Sequence, residues 1–316
     1  MDIEDASVAC ADVLDALGRS VVADRDFLET VLAGALARGH VLVEDVPGTG
    51  QTLTARTLAA ALGLSFSRVQ FTPDLLPSDV TGTNVFDEES REFEFVEGPV
   101  FGNVVLADEI NRAPPKTQAA LLEAMEERQV TVDGDTHELP DPFFVVATQN
   151  PVEHEGTFPL PAAQVDRFAV KASMGYPTFE GEADLLRRRA GRSTRSPSAE
   201  TVLDPERVRE LQRVPETVRV DDDLIDYLLH LSRATRDDSR VEVGVSPRGS
   251  QRLFEVVRAR AVIEGRSYAT PDHVKAVAVP TLAHRLSLTP DARVDGVSPV
   301  DVVRDALDRT PVPTVE

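Results

Sequence analysis

Between residues 40 and 150 the chain carries four short apolar runs, "HVLVED" (40–45), "FSRVQFT" (66–72), "NVVLADE" (103–109) and "FFVVATQN" (143–150). Runs of this length read as buried strands. Between and before them, apolar residues recur at helical spacing, as in "DFLETVLAGALARGH" (26–40), where Phe27, Val31 and Leu32 share one side, and in "KTQAALLEAMEERQ" (116–129). Strands alternating with helices predict an α/β unit with a mostly parallel sheet covered on both faces.

Near residue 176 the pattern changes to turn formers and charges, "YPTFEGEADLLRRRAGRSTRSPSAETVLDPERVREL". Beyond it, "DDLIDYLLHLSRAT" (222–235), "SPRGSQRLFEVVRARAVIEG" (246–265) and "TPDHVKAVAVPTLAHRL" (270–286) each follow or begin with a capping residue and continue as amphipathic helices. The expected division is an α/β core with N-terminal helices over 1–175, a linker over 176–200, a small all-helical domain over 201–290, and a C-terminal helix and frayed tail over 291–316. No repeat of fixed period is visible. Two hairpins are expected, one in "TNVFDEESREFEFVEGPVF" (83–101) and one in "RQVTVDGDTHELP" (128–140) around an Asp133-Gly134 turn.

Three of the four strands end in polar residues, "EDVPGTGQT", "DEINR" and "TQN". Ligands of open α/β sheets bind beyond the carboxyl ends of the strands, so these segments should converge on one crevice. Gly48 and Gly50 would let backbone N–H groups turn inward, and a helix from about Thr52 would aim its positive end at phosphates. Two positions depart from the phosphate-loop pattern: Asp45 stands at the first glycine and Gln51 at the lysine. Alone, this stretch could be an ordinary strand–turn–helix junction. Asp108 and Glu109, closing an apolar strand, could respectively hold Mg²⁺ through water and activate an attacking water. Asn150 could orient that water, or simply make a turn.

Composition narrows the partners. With 33 basic and 54 acidic residues the formal charge is −21, which argues against a nucleic-acid surface. Only Lys116, Lys171 and Lys275 are lysines. Such a balance is that of a salt-accumulating halophile, where a Debye length of about 3 Å screens self-repulsion, or of an acidic protein from a GC-rich organism. The lone Cys10 forms no internal disulfide, and the six histidines lack metal-ligand spacing. Without a signal-like N-terminus or a bilayer-length apolar run, a cytoplasmic protein with no membrane insertion is expected.

The segments "VLVEDVPGTGQT", "LADEINRAPPKTQAALLEAMEERQVTVDG", "FFVVATQNPVEHEGTFPLPAAQVDRF" and "GVSPRGSQRL" together resemble the MoxR family of AAA+ ATPases, over roughly residues 21–286. The resemblance implies an AAA+ P-loop core with a parallel five-stranded sheet between helices, a helical lid, and a homo-oligomeric ring, usually a hexamer, with ATP and Mg²⁺ at subunit interfaces. It implies that Asp45, Val46, Pro47, Gly48, Thr49, Gly50, Gln51, Thr52 and Leu53 form the phosphate loop and that Val21 and Val22 face adenine. It also implies Thr52 and Asp108 at the metal, Glu109 as base, Asn150 as sensor 1, Arg248 as sensor 2 reaching from the lid, and Arg167 as the arginine finger given to a neighbour. Members act on protein clients as remodelling or assembly chaperones, with von Willebrand factor A partners that would here be separate chains. The family usually carries Asp at the position of Asp45.

Gln51 remains the departure. A neutral amide donates a hydrogen bond of roughly half the strength of lysine's charged one, so turnover should suffer more than nucleotide binding. Three readings stay open: a slow ATPase, a nucleotide-binding scaffold without hydrolysis, and a chain altered at this codon. Concentrated K⁺ could replace part of the charge. Of the remaining features, the Phe93 and Phe95 hairpin could contact a client near a ring pore or simply cap the sheet. Arg187, Arg188 and Arg189 read as surface salt bridges or a subunit contact, and His154 receives no catalytic role.

Overall fold

The computed structural model describes residues 1–152, 156–193 and 199–313. His154 and the last tail residues lie outside them. Five strands, β1 (Val41–Glu44), β2 (Phe66–Gln70), β3 (Val104–Asp108), β4 (Phe144–Gln149) and β5 (Val170–Ala172), form one parallel sheet in the order β2-β3-β4-β1-β5. The apolar runs are continuous because side chains alternate between two cores. Val41, Val43, Val104, Leu106, Phe144 and Val146 enter one, beneath helices α1 (Ile3–Ser20) and α2 (Arg25–Leu36). Leu42, Val105, Ala107, Val145 and Ala147 enter the other, with Leu121, Leu122 and Met125. Edge strand β2 buries only Val69, so Arg68 and Gln70 stay polar and accessible. Strand β5, three residues long, was too short to stand out as an apolar run; it pairs with β1 at Val41↔Val170.

Helix α3 (Gln51–Ala61) follows β1, α4 (Pro115–Glu127) follows β3, and α5 (Phe179–Ala190) follows β5. Both expected hairpins form, Gly82–Asp87 with Glu92–Glu97 and Gln129–Val132 with Asp135–Glu138. Asp133 and Gly134 both take positive φ at the second turn, as a tight hairpin turn requires. The hairpins meet where Phe95 stacks on His137 at 3.8 Å, while Phe86 and Phe93 pair edge-to-face in solvent.

The C-terminal region is built from α6 (Asp222–Arg236), α7 (Pro247–Ile263), α8 (Pro271–Leu282) and α9 (Pro299–Arg309), with shorter helical turns between. Ser246 caps α7 by accepting the Gly249 N–H at 3.1 Å, and Thr270 with His273 forms a capping box on α8. One antiparallel pairing, Val241–Val243 with Ser287–Leu288, adds a strand element that the all-helical expectation lacked. Helix α9 packs on α6 and α8, and α7 packs on α1 and α2, so the core under the N-terminal helices continues into this region. No helix among the described residues is long and apolar enough to cross a membrane.

Candidate functional site: a phosphate-loop cavity at the carboxyl edge of the sheet

The ends of β1, β3 and β4 meet, with the edge of β2, around a cavity of about 420 Å³. Gly48 (φ 91°) and Gly50 (φ 114°) both adopt left-handed backbone, which a side chain would strain. Gly50 caps α3, whose first residues Gln51, Thr52 and Leu53 therefore present unpaired N–H groups and the positive helix end to the cavity. Asp45 is a structural anchor. Its carboxylate accepts from Ser173 Oγ at 2.7 Å, Met174 N at 2.6 Å and Gly175 N at 3.1 Å, tying the loop to the chain just beyond β5. A glycine could not make that tie.

Opposite the loop, β3 delivers Asp108 and Glu109. Thr148, fully buried on β4, donates to Asp108 Oδ1 at 2.7 Å and accepts the Glu109 N–H at 2.8 Å, fixing both residues from one hydroxyl. Glu109 sits in left-handed backbone (φ 57°), which turns the chain out of the strand. Its Oε2 accepts from Gln70 Nε2 at 3.1 Å and Arg112 at 3.0 Å. Asp108 Oδ2 accepts from Arg68 Nε at 3.1 Å and from its terminal nitrogen at 2.6 Å.

Asn150 lines the same cavity, and its Oδ1 accepts the Val152 N–H at 3.0 Å. It thus makes the turn while standing on the cavity wall. Gln51 Nε2 is buried with no hydrogen-bond partner. An unpaired buried donor beside free helix N–H groups is what a phosphate oxygen would satisfy, so the residues present fit a nucleotide. Thr52 and Asp108, an oxygen pair on one cavity, fit Mg²⁺.

Other expected site residues stand outside the cavity lining. Val46 and Thr49 bond each other within the loop at 3.4 Å, through the Thr49 hydroxyl and the Val46 carbonyl. Val21 is buried in the core, and Val22 lies near Gly181. Arg248, at the start of α7, pairs with Glu126 of α4 and approaches Asp166 at 3.9 Å. Arg167 adds its charge to the same carboxylate: the Arg248 hydrogen bond, with the charges of Arg248, Arg167 and Arg252, holds Glu126 below the usual carboxylate range. The two arginines therefore share a basic surface around Glu126, away from this chain's own cavity. Arg188 donates to the last carbonyls of α1, Gly18 O at 2.7 Å and Arg19 O at 2.9 Å, and pairs with Asp184.

Sequence reasoning brought Thr148 and Gln149 to the crevice with the strand end "TQN" but missed Arg68 and Gln70 as cavity residues. Period-two alternation puts Arg68 and Gln70 on one face of β2, but only the pairing of β2 with β3 brings that face to the acidic strand end.

Residues 40–170 match the family described as "ATPase family associated with various cellular activities (AAA)", and residues 233–306 match an AAA lid domain. The chain is 48% identical to uncharacterized protein YeaC of Bacillus subtilis, over 98% of this chain and 97% of that one. It is 42% identical to chaperone MoxR1 of Mycobacterium tuberculosis over 94% and 80%, and 32% identical to protein MoxR of Paracoccus denitrificans over 99% and 98%. A crystal structure from Cytophaga hutchinsonii superposes with a TM-score of 0.90 at 37% identity, covering 98% of this chain and 96% of that one. With the phosphate loop, the acidic strand end and the lid all in place, the chain belongs to the MoxR family of AAA+ ATPases.

Proposed function

We propose that this chain hydrolyses ATP to ADP and phosphate, slowly, at the interfaces of a homo-oligomeric ring, and uses the cycle to remodel or assemble protein complexes in the cytoplasm. The observation that carries the reading is the convergence of the loop, Thr52, Asp108, Glu109 and Asn150 on one cavity. Thr52 and Asp108 would hold Mg²⁺, which when bound screens the phosphate charge. Glu109, held by Gln70 and Arg112, would accept a proton from water, and the Asn150 amide would orient that water. Arg167 and Arg248, clustered around Glu126 outside the cavity, would complete the site of a neighbouring subunit. Chaperone MoxR1 lends its named role to the chaperone reading; a separate protein with a von Willebrand factor A domain and a protein client are the expected partners, and nucleic acid is not.

Gln51 favours the second reading, a ring scaffold that binds ATP without turnover. Calorimetric Mg-ATP binding and steady-state phosphate release in high KCl decide between them. Under the first reading Glu109→Gln abolishes release, by about 100-fold or more, and Gln51→Lys raises it. ATP binding with no release in the parent or in Gln51→Lys moves the conclusion to the scaffold, and no binding at all removes both.

A further inference from the structure

The cavity contains one cation that the phosphate-loop pattern does not call for. Arg68 lies on the edge strand β2, half exposed, with its guanidinium against Asp108 and its terminal nitrogen 2.7 Å from Gln70 Oε1. The register Arg68↔Leu106 and Gln70↔Asp108 places it beside the acidic end of β3. Across the same cavity stands Gln51, neutral, with its amide nitrogen unpaired. A triphosphate entering there needs positive charge that the loop itself lacks, and Arg68 is the guanidinium lining the cavity that can supply it. We propose that Arg68 is the phosphate-binding cation of this site, serving in place of the missing loop lysine and resting on Asp108 until nucleotide arrives.

The chemistry is an exchange of partners. Arg68 gives up two hydrogen bonds to one carboxylate oxygen for phosphate oxygens that can take the same two-pronged donation. Release of Asp108 Oδ2 then frees that oxygen for the metal ligation proposed above, while Thr148 continues to hold Oδ1. Because Arg68 also donates to Gln70, and Gln70 to Glu109, the same movement loosens one of the two contacts on the Glu109 carboxylate. This inference rests on the nucleotide reading of the cavity.

A double-mutant cycle on ATP affinity tests it, with isothermal titration of ATP in excess MgCl₂ as the readout. Arg68→Gln should weaken binding at least tenfold. Gln51→Lys should improve affinity less than threefold in the parent and more than tenfold in the Arg68→Gln background, because one cation then stands in for the other. Equal effects of Gln51→Lys in the two backgrounds, or unchanged binding by Arg68→Gln, would overturn the assignment and leave the ATPase reading intact. A parent that binds no nucleotide removes that reading and this one together. Should the unpaired Asp108 carboxylate unfold Arg68→Gln, the cycle is run in EDTA on Asp108→Asn and Arg68→Gln/Asp108→Asn, with the same two outcomes deciding.

Discussion

His40 is buried between the second core and the end of α4, where its Nδ1 accepts the Val145 N–H at 3.0 Å and its Nε2 donates to Met125 O at 3.1 Å. Burial pushes its pKa from 6.5 down to about 4. The folded chain thus keeps the ring neutral while the unfolded chain takes up a proton. The stability tied to this group is full above pH 6.5 and drains away as pH falls towards 4, by about 3 kcal/mol. His40→Gln, which cannot titrate, should flatten that part of the profile. Urea unfolding at pH 7.5 and 4.5 compares the two, and parallel losses in parent and variant would count against the assignment. Asp45 shows why local departures from a motif mislead. Its three hydrogen bonds come from Ser173, Met174 and Gly175, more than 120 residues away, so the resemblance could mark the replaced glycine as harmless but only the partners give the physical reason.

At the level of elements, α7 carries Arg248 in its first turn, so its start fixes where that charge sits. Ser246→Ala removes the cap and should cost about 1 kcal/mol. The cost should appear in the urea midpoint with an unchanged denaturant slope; an unaltered midpoint would mean that Pro247 alone sets the helix start. Elements of this kind were legible in the chain because their signals are local: four strands announced themselves as apolar runs, three lid helices by caps and spacing, and the second hairpin by Asp133-Gly134. What stayed hidden was relational. Strand β5 is visible only through its pairing with β1, and Arg68 and Gln70 gain meaning only because β2 lies beside the acidic end of β3. The partner of Arg248 could not be read because it lies 122 residues away on α4.

For the whole molecule, α5 is the exposed outlier. None of its side chains is buried, and Phe179 and Leu186, seven residues apart and so on one side of the helix, are 82% and 72% exposed. In the proposed ring this face would lie against a second copy. Leu186→Glu should therefore reduce assembly at least tenfold by sedimentation, while the urea midpoint of the subunit moves by no more than about 0.5 kcal/mol equivalent. Undiminished assembly would place the contact elsewhere. Arg285 ties the C-terminal region to the core from inside: its buried guanidinium donates to Asp166 O at 2.6 Å and Phe168 O at 2.7 Å, on either side of Arg167, and its Nε to Thr281 O at 2.8 Å. The larger tie is the apolar layer shared by α1, α2 and α7, which runs without a break from the sheet into the lid. A flap hinged on such a layer would have to strip that apolar surface bare at every swing. The subunit is therefore built as a brick rather than a jaw, and in the proposed ring the work would fall at the mortar lines, where one copy meets the next.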